Sequence, residues 1–215
     1  MIIKVLQAYQ PQIISDLLQH LYLAFVPIVL GLVIAIPLGM LAARTRWANA
    51  PLLGASSVAY AIPSLALFIV LPSILGTKIL SPTNVIVALT LYAVALLFRS
   101  VKDGLQSVPE PVRQASTAMG MKRARQLFTV EFPIAIPVIA AGLRVVAVTT
   151  ISMVSVGALI GIGGLGGLFT TGFQISSYVL IVTGIVLSVL LALLTDVAIV
   201  LVQRATTPWT RLASR

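Results

Sequence analysis

Arg113-Gln-Ala-Ser-Thr-Ala-Met-Gly-Met-Lys-Arg-Ala-Arg-Gln-Leu-Phe-Thr-Val-Glu-Phe-Pro133 is the longest polar interval in a chain that otherwise reads as membrane. Just before it, Ser107 and Glu110 have the spacing of a capping box, in which each side chain satisfies the other residue's backbone N–H. Pro109 and Pro111 stand near the helix start this predicts, where a missing N–H costs little. Gly120 falls where a first short helix should stop, because glycine takes the left-handed C-cap conformation without a Cβ clash. Residues 122–130 then predict a second short helix, ended by Pro133. The interval therefore reads as a helical hairpin over 107–133, set between apolar spans.

Working outward, the composition leaves little room for a soluble protein. The chain has 215 residues, 59% hydrophobic and 9% charged, with a mean hydropathy of +1.10. Soluble domains carry about 25% charged residues. The chain predicts a single all-α domain over 1–215, a polytopic bundle of about five transmembrane helices. Its net charge of +9 comes from basic residues spread between apolar runs. That pattern fits topology determinants rather than a nucleic-acid face. With no cysteine there is neither a disulfide framework nor a thiolate metal site. No metal or cofactor site is expected. The N-terminus shows no signal-peptide pattern, since a mixed polar segment follows Lys4.

Residues 1–20 are weakly amphipathic, and His20, the only histidine, reads as solvated or interfacial. The first span covers about 21–43, with Pro27 and Pro37 inside it and Arg44 and Arg46 closing it. The second covers about 58–75. Its two prolines, Pro63 and Pro72, predict a kinked or broken helix. Such a break marks either a solute path, with Tyr60, Pro63 and Ser64 as its candidate residues, or a packing feature. The third span, about 85–98, is short, and the fourth covers about 134–159. Gly161-Ile-Gly-Gly-Leu-Gly-Gly167 follows, with no lysine and no strand–helix context for a phosphate loop. Glycines beside a span allow close helix contact or an irregular extracellular turn. The last span covers about 179–202, before a tail carrying Arg204, Arg211 and Arg215.

Lysine and arginine counts set the orientation. Segments 44–57, 99–133 and 203–215 hold two, six and three basic residues, whereas only Lys4 and Lys78 fall on the other side. The bias predicts N-out, C-in, with the 107–133 hairpin in the cytoplasm. Arg144 and Asp196 are drawn into apolar spans, each within roughly 12–17 Å of the cytoplasmic side. A charge in a bilayer seeks a partner, so these two are expected to form a structural ion pair. Tyr22, Tyr60, Phe68 and Tyr92 form no aromatic cage and read as lipid or core packing.

The hairpin resembles the signature loop of ABC importer permeases, E-A-A-x3-G-x9-I-x-L-P. Ala115, Gly120 and Pro133 match in register. Gln114 stands for the glutamate, Ser116 for the second alanine, Val130 for isoleucine and Phe132 for leucine. In that family the loop is a coupling helix that docks on a separate ATPase subunit. The resemblance implies that role for Gln114, Ala115, Ser116, Gly120, Lys122, Arg123 and Pro133. Lys122, Arg123 and Arg125 either complement an acidic ATPase surface or only retain the loop inside. Ile62 to Phe68, Glu131 to Arg144 and Ile160 to Phe169 are similar to one branch of these permeases. That branch imports glycine betaine, choline, carnitine or related quaternary amines.

The resemblance further implies a prokaryotic plasma-membrane location. It implies ATPase subunits that bind the ATP, a second permease subunit (a copy or a paralogue), and an extracytoplasmic solute-binding protein. The chain itself has no Walker A sequence. A membrane enzyme would need clustered catalytic groups, and one histidine with five carboxylates scattered along the chain argue against one. A passive channel gives no reason for the Gly120-centred loop. Among importers, a methionine or other amino-acid permease is the alternative.

Overall fold

A computed structural model describes residues 2–211 of the chain; Arg215 of the basic tail lies outside them. The described residues form a helical bundle with four helices long and apolar enough to cross a membrane, and a fifth span if a bent pair counts as one. A short α1 (Ile2–Ala8) leads into α2 (Gln10–Arg44), which runs unbroken through Pro27 and Pro37. The 35 residues of α2 outlast the bilayer. The first span is thus the inner part of a helix that also carries Asp16 and His20.

The second span is broken, as its prolines predict, and it begins well before the expected residue 58. It is a pair, α3 (Arg46–Ala61) and α4 (Ser64–Leu75), bent by 102°. The break falls at Ile62–Pro63, both in extended conformation, because the residue before a proline is pushed out of the helical region. Tyr92 Oη donates to the Ile62 carbonyl that the break frees, at 2.6 Å.

Helix α5 (Pro82–Gln106) is also longer than the expected 85–98. Polar residues begin at Arg99, but a buried stripe continues past them. Val101 and Leu105 pack with Leu127, Ala135 and Ile139, and this contact keeps the last two turns helical. Arg99 turns back to the Ser56 and Ser57 hydroxyls of α3.

The core lies along α5, between α2 and α8 (Phe132–Val156). Small residues set these distances. A Cβ on Gly31 would meet Ala93 Cβ at 2.5 Å, and one on Gly39 would meet Val101 Cβ at 2.6 Å. After α8 a short 3-10 turn (Gly157–Ile160) and the glycine-rich stretch lead to α9 (Gly166–Gln174). The last helix, α10 (Tyr178–Thr206), lies outermost and leaves most of its apolar surface uncovered.

The glycine-rich stretch overturns the reading of His20 as solvated. His20 is fully buried. Leu165 N–H donates to its Nδ1 at 3.2 Å, so Nε2 carries the proton and donates to the Ile151 carbonyl at 3.1 Å. Gly164 has φ +49°, and a Cβ there would lie 2.6 Å from His20 Cβ and 2.7 Å from His20 Cα. Only a glycine lets the backbone come this close, and its N–H donates to Gln19 Oε1 at 3.1 Å.

Candidate functional site

The hairpin consists of α6 (Glu110–Ala118) and α7 (Arg123–Gln126), joined through Met119–Lys122. Its start differs from the capping box expected at Ser107. Glu110 is the first helical residue rather than the third, and Pro109 occupies the cap position without a side-chain bond. Ser107 ends α5 and donates its hydroxyl to the Gly104 carbonyl at 2.8 Å. The two residues keep the right spacing, but the longer α5 claims the serine.

The end of α6 is a Schellman motif. Gly120 N–H donates to Thr117 O at 2.9 Å and Met121 N–H to Ser116 O at 3.2 Å. Gly120 takes φ +74°, with nothing within 4 Å of a Cβ placed on it. The constraint at Gly120 is therefore backbone conformation alone. Ser116 is buried inside the hairpin, and its hydroxyl donates to the Arg113 carbonyl at 2.8 Å. The same carbonyl accepts from Thr117 Oγ1 and from Gln126 Nε2, which joins α6 to α7.

Pro133 does not end the second helix. A π-turn over Leu127–Glu131 follows α7 directly and continues into α8, whose first turn holds Pro133. Phe132 N–H donates five residues back, to Leu127 O. The wider turn takes up the missing proline N–H and relieves its ring of a clash with the preceding turn. The hairpin's second arm and the fourth span are thus one uninterrupted helix.

Two faces result. The outer face carries Gln114, Ala115, Lys122, Arg123 and Arg125, with the apolar side chains of Met119 (68% exposed) and Phe128 (62% exposed) among them. The inner face is fastened to the bundle. Arg44, at the end of α2, donates to the Arg123 carbonyl at 3.3 Å and approaches Glu131 at 3.7 Å. Arg113 donates to the Leu105 carbonyl of α5 at 2.5 Å. These groups surround a polar cavity of about 350 Å³, roomy enough for water. Arg44, Gln126 and Glu131 had no signal in the sequence as parts of the site. Only the folding of α2 beside α8 brings Arg44 to the loop.

The structure also brings Arg144 and Asp196 together. Nε donates to Oδ1 at 2.6 Å and Nη2 to Oδ2 at 2.9 Å, a bidentate pair joining α8 to α10. Tyr60, Pro63 and Ser64 sit at the break between α3 and α4, with the Tyr60 ring edge-on to Tyr92 at 6.1 Å. Of the aromatics read as packing, Phe68 and Tyr92 are buried, while Tyr22 and Tyr60 lie exposed. Among the described residues no group of histidine and carboxylates could hold a metal.

Comparison with known proteins places this geometry. Residues 35–208 match the family model described as binding-protein-dependent transport system inner membrane component. The chain is 35% identical over 193 residues to the osmoprotectant import permease protein OsmW of Salmonella typhimurium, covering 88% of this chain and 89% of that protein. It is 30% identical to the glycine betaine/carnitine/choline transport system permease protein OpuCB of Bacillus subtilis, covering 88% and 86%. Among solved structures, an inward-facing form of the MetNI methionine ABC transporter superposes with a TM-score of 0.81 at 26% identity, covering 93% of this chain and 98% of that one.

Proposed function

The chain belongs to the family of binding-protein-dependent transport system inner membrane components, and from that premise we propose that it is the permease subunit of an ATP-driven importer of osmoprotectants such as glycine betaine, choline or carnitine. The observation that carries the solute class is the 35% identity to an osmoprotectant permease along nearly the whole chain. The chain is a transport component of the membrane and not an enzyme. As an importer permease it works with an ATPase and another permease subunit. In this reading the ATPase subunits bind the ATP, and an extracytoplasmic binding protein delivers the solute.

The hairpin suits this task. Its outer face offers Met119 and Phe128 to a groove on the ATPase, with basic residues around them. Displacement there passes into α8 without a joint, because the π-turn keeps the helix continuous. Tyr60, Pro63 and Ser64 at the α3–α4 break belong to the solute path in this reading.

The test is uptake by cells lacking this chain, at high and low osmolarity. Betaine, choline or carnitine uptake should fall, most clearly at high osmolarity, while methionine uptake stays. The reverse pattern would replace the osmoprotectant reading with a methionine permease.

A further inference from the structure

Hydroxyls on membrane helices commonly turn back onto their own backbone. Thr149 on α8 and Thr195 on α10 do so, donating to Val145 O and Leu191 O at 2.8 Å. The Ser188 hydroxyl on α10 is different: it is buried and has no hydrogen-bond partner. It lines a cavity of about 280 Å³ between α8 and α10, together with Ser152, Ser155, Phe169, Val148 and Ile185. Val148 also lines a second cavity, of about 460 Å³, whose polar wall is Thr149, Arg144 and Asp196. Val148 is common to both walls, so the two cavities lie side by side along a groove between α8 and α10, over about 12 Å from Ser188 to Asp196.

The ion pair shows what this groove faces. Arg144 and Asp196 remain 42% and 25% exposed at their side chains although both lie deep within apolar spans. Ionisable groups at that depth face a bundle interior or a water-filled path, because hydrocarbon solvates them poorly. Elsewhere on α10 the exposed surface is aliphatic, formed by Val182, Val186, Leu190, Leu193 and Val197. That surface suits lipid. The helix thus has one face for the bilayer and another that, at its Arg144–Asp196 end, lipid would not wet well.

We propose that the α8–α10 groove is a second stretch of the solute passage, apart from the α3–α4 break, and that it takes a small zwitterion bearing a methylated ammonium group. At one end Arg144 meets the carboxylate and Asp196 the cation; about 12 Å along, the serine hydroxyls and the face of Phe169 meet the same two groups in turn. An ion pair presents both signs in one place, so a zwitterion is held without adding net charge to the membrane interior. Ser188 gives up no bond of its own to contact solute or water, so that contact breaks no hydrogen bond within the protein. The solute's identity here rests on the osmoprotectant reading; the location of the passage does not.

The chain has no cysteine, so Ser188→Cys introduces its one thiol. The complete importer, reconstituted in vesicles with its ATPase and binding protein, is treated with a membrane-impermeant methanethiosulfonate carrying a trimethylammonium group. The reagent should modify Ser188→Cys and lower betaine uptake about tenfold or more, and excess betaine during ATP turnover should slow the modification. Val186→Cys, on the aliphatic face, should stay unmodified with full uptake. A Ser188→Cys thiol inert both at rest and during turnover would overturn the proposal, since lipid or the second permease then covers the groove. Modification without loss of uptake would overturn it equally. If Ser188→Cys fails to assemble, Ser152→Cys is read by the same criteria. A blocked importer whose solute proves to be methionine leaves the passage standing and removes the osmoprotectant reading; betaine import with an inert groove does the opposite.

Discussion

The α6–α7 hairpin and the glycine-rich stretch are fastened to α2 some 24 residues apart, about 36 Å along the helix, and by opposite means. At Arg44 the contact is made by a long, half-exposed guanidinium reaching 3.3 and 3.7 Å across a polar cavity. At His20 the contact is backbone laid directly on helix, with no space for a methyl group. A long side chain over a polar cavity can let go and bond again if the hairpin shifts. Backbone packed on a buried imidazole cannot. The same residue type shows the contrast. Gly120 is needed for its φ and has open space around it, whereas Gly164 is needed for both its φ and its size. One end of α2 is held by a side-chain contact that can be broken and remade, and the other by close backbone packing that cannot.

Substitutions test this contrast, in descending order of expected loss of folded stability. Gly164→Ala should cost most, about 3 kcal/mol, by combining a clash against His20 with a left-handed backbone. The apparent Tm of the solubilised permease should fall accordingly; an unchanged Tm would show that the outer contact has slack after all. His20→Leu should cost about 2 kcal/mol by stranding the Leu165 N–H and the Ile151 carbonyl, and His20→Gln should recover part of it. Equal stability of the Leu and Gln variants would mean that volume, not hydrogen bonding, holds this end.

At the hairpin end, Gly120→Val should cost only about 1 kcal/mol of stability, since nothing lies within 4 Å of an added Cβ. Membrane insertion should stay intact while uptake is abolished and the ATPase co-purifies poorly. Gly120→Asn, which tolerates positive φ, should retain uptake. Normal uptake by a well-expressed Gly120→Val permease would break the comparison at its functional half. The smallest effect is expected from replacing Lys122, Arg123 and Arg125 together by alanine, within about 0.5 kcal/mol. The Arg123 carbonyl that Arg44 uses is backbone and survives. Preserved ATPase co-purification would mark these charges as topology determinants; its loss would mark them as part of the docking face.

How much was legible in the sequence follows from how local each signal is. Gly120 and the signature spacing announced the hairpin because a C-cap and a register need only neighbouring residues. Arg144 and Asp196 could be paired from afar because a charge in an apolar span has few alternatives. Pro133 misled: a proline reads as a stop, and nothing nearby reveals that a π-turn will carry the helix through it. The third span was read short because its apolar run ends at Phe98, while burial of Val101 and Leu105 against α8 depends on distant residues. His20 was misjudged for the same reason. Its partners are backbone groups of Ile151 and Leu165, 131 and 145 residues away, and backbone leaves no mark in a sequence.

The π-turn at Leu127–Glu131 also lets the helix carry a spare residue without losing its phase. It holds one residue more than an α-helical path between the same ends, and each residue of an α-helix turns the chain by about 100°. Inserted into a plain α-helix, that residue would swing the hairpin by about 100° against the span. The wider turn absorbs it, so α7 and α8 keep the relative angle of one straight helix while Pro133 is accommodated. The turn acts as a take-up loop in a rope: it stores the extra length and leaves both ends where they were.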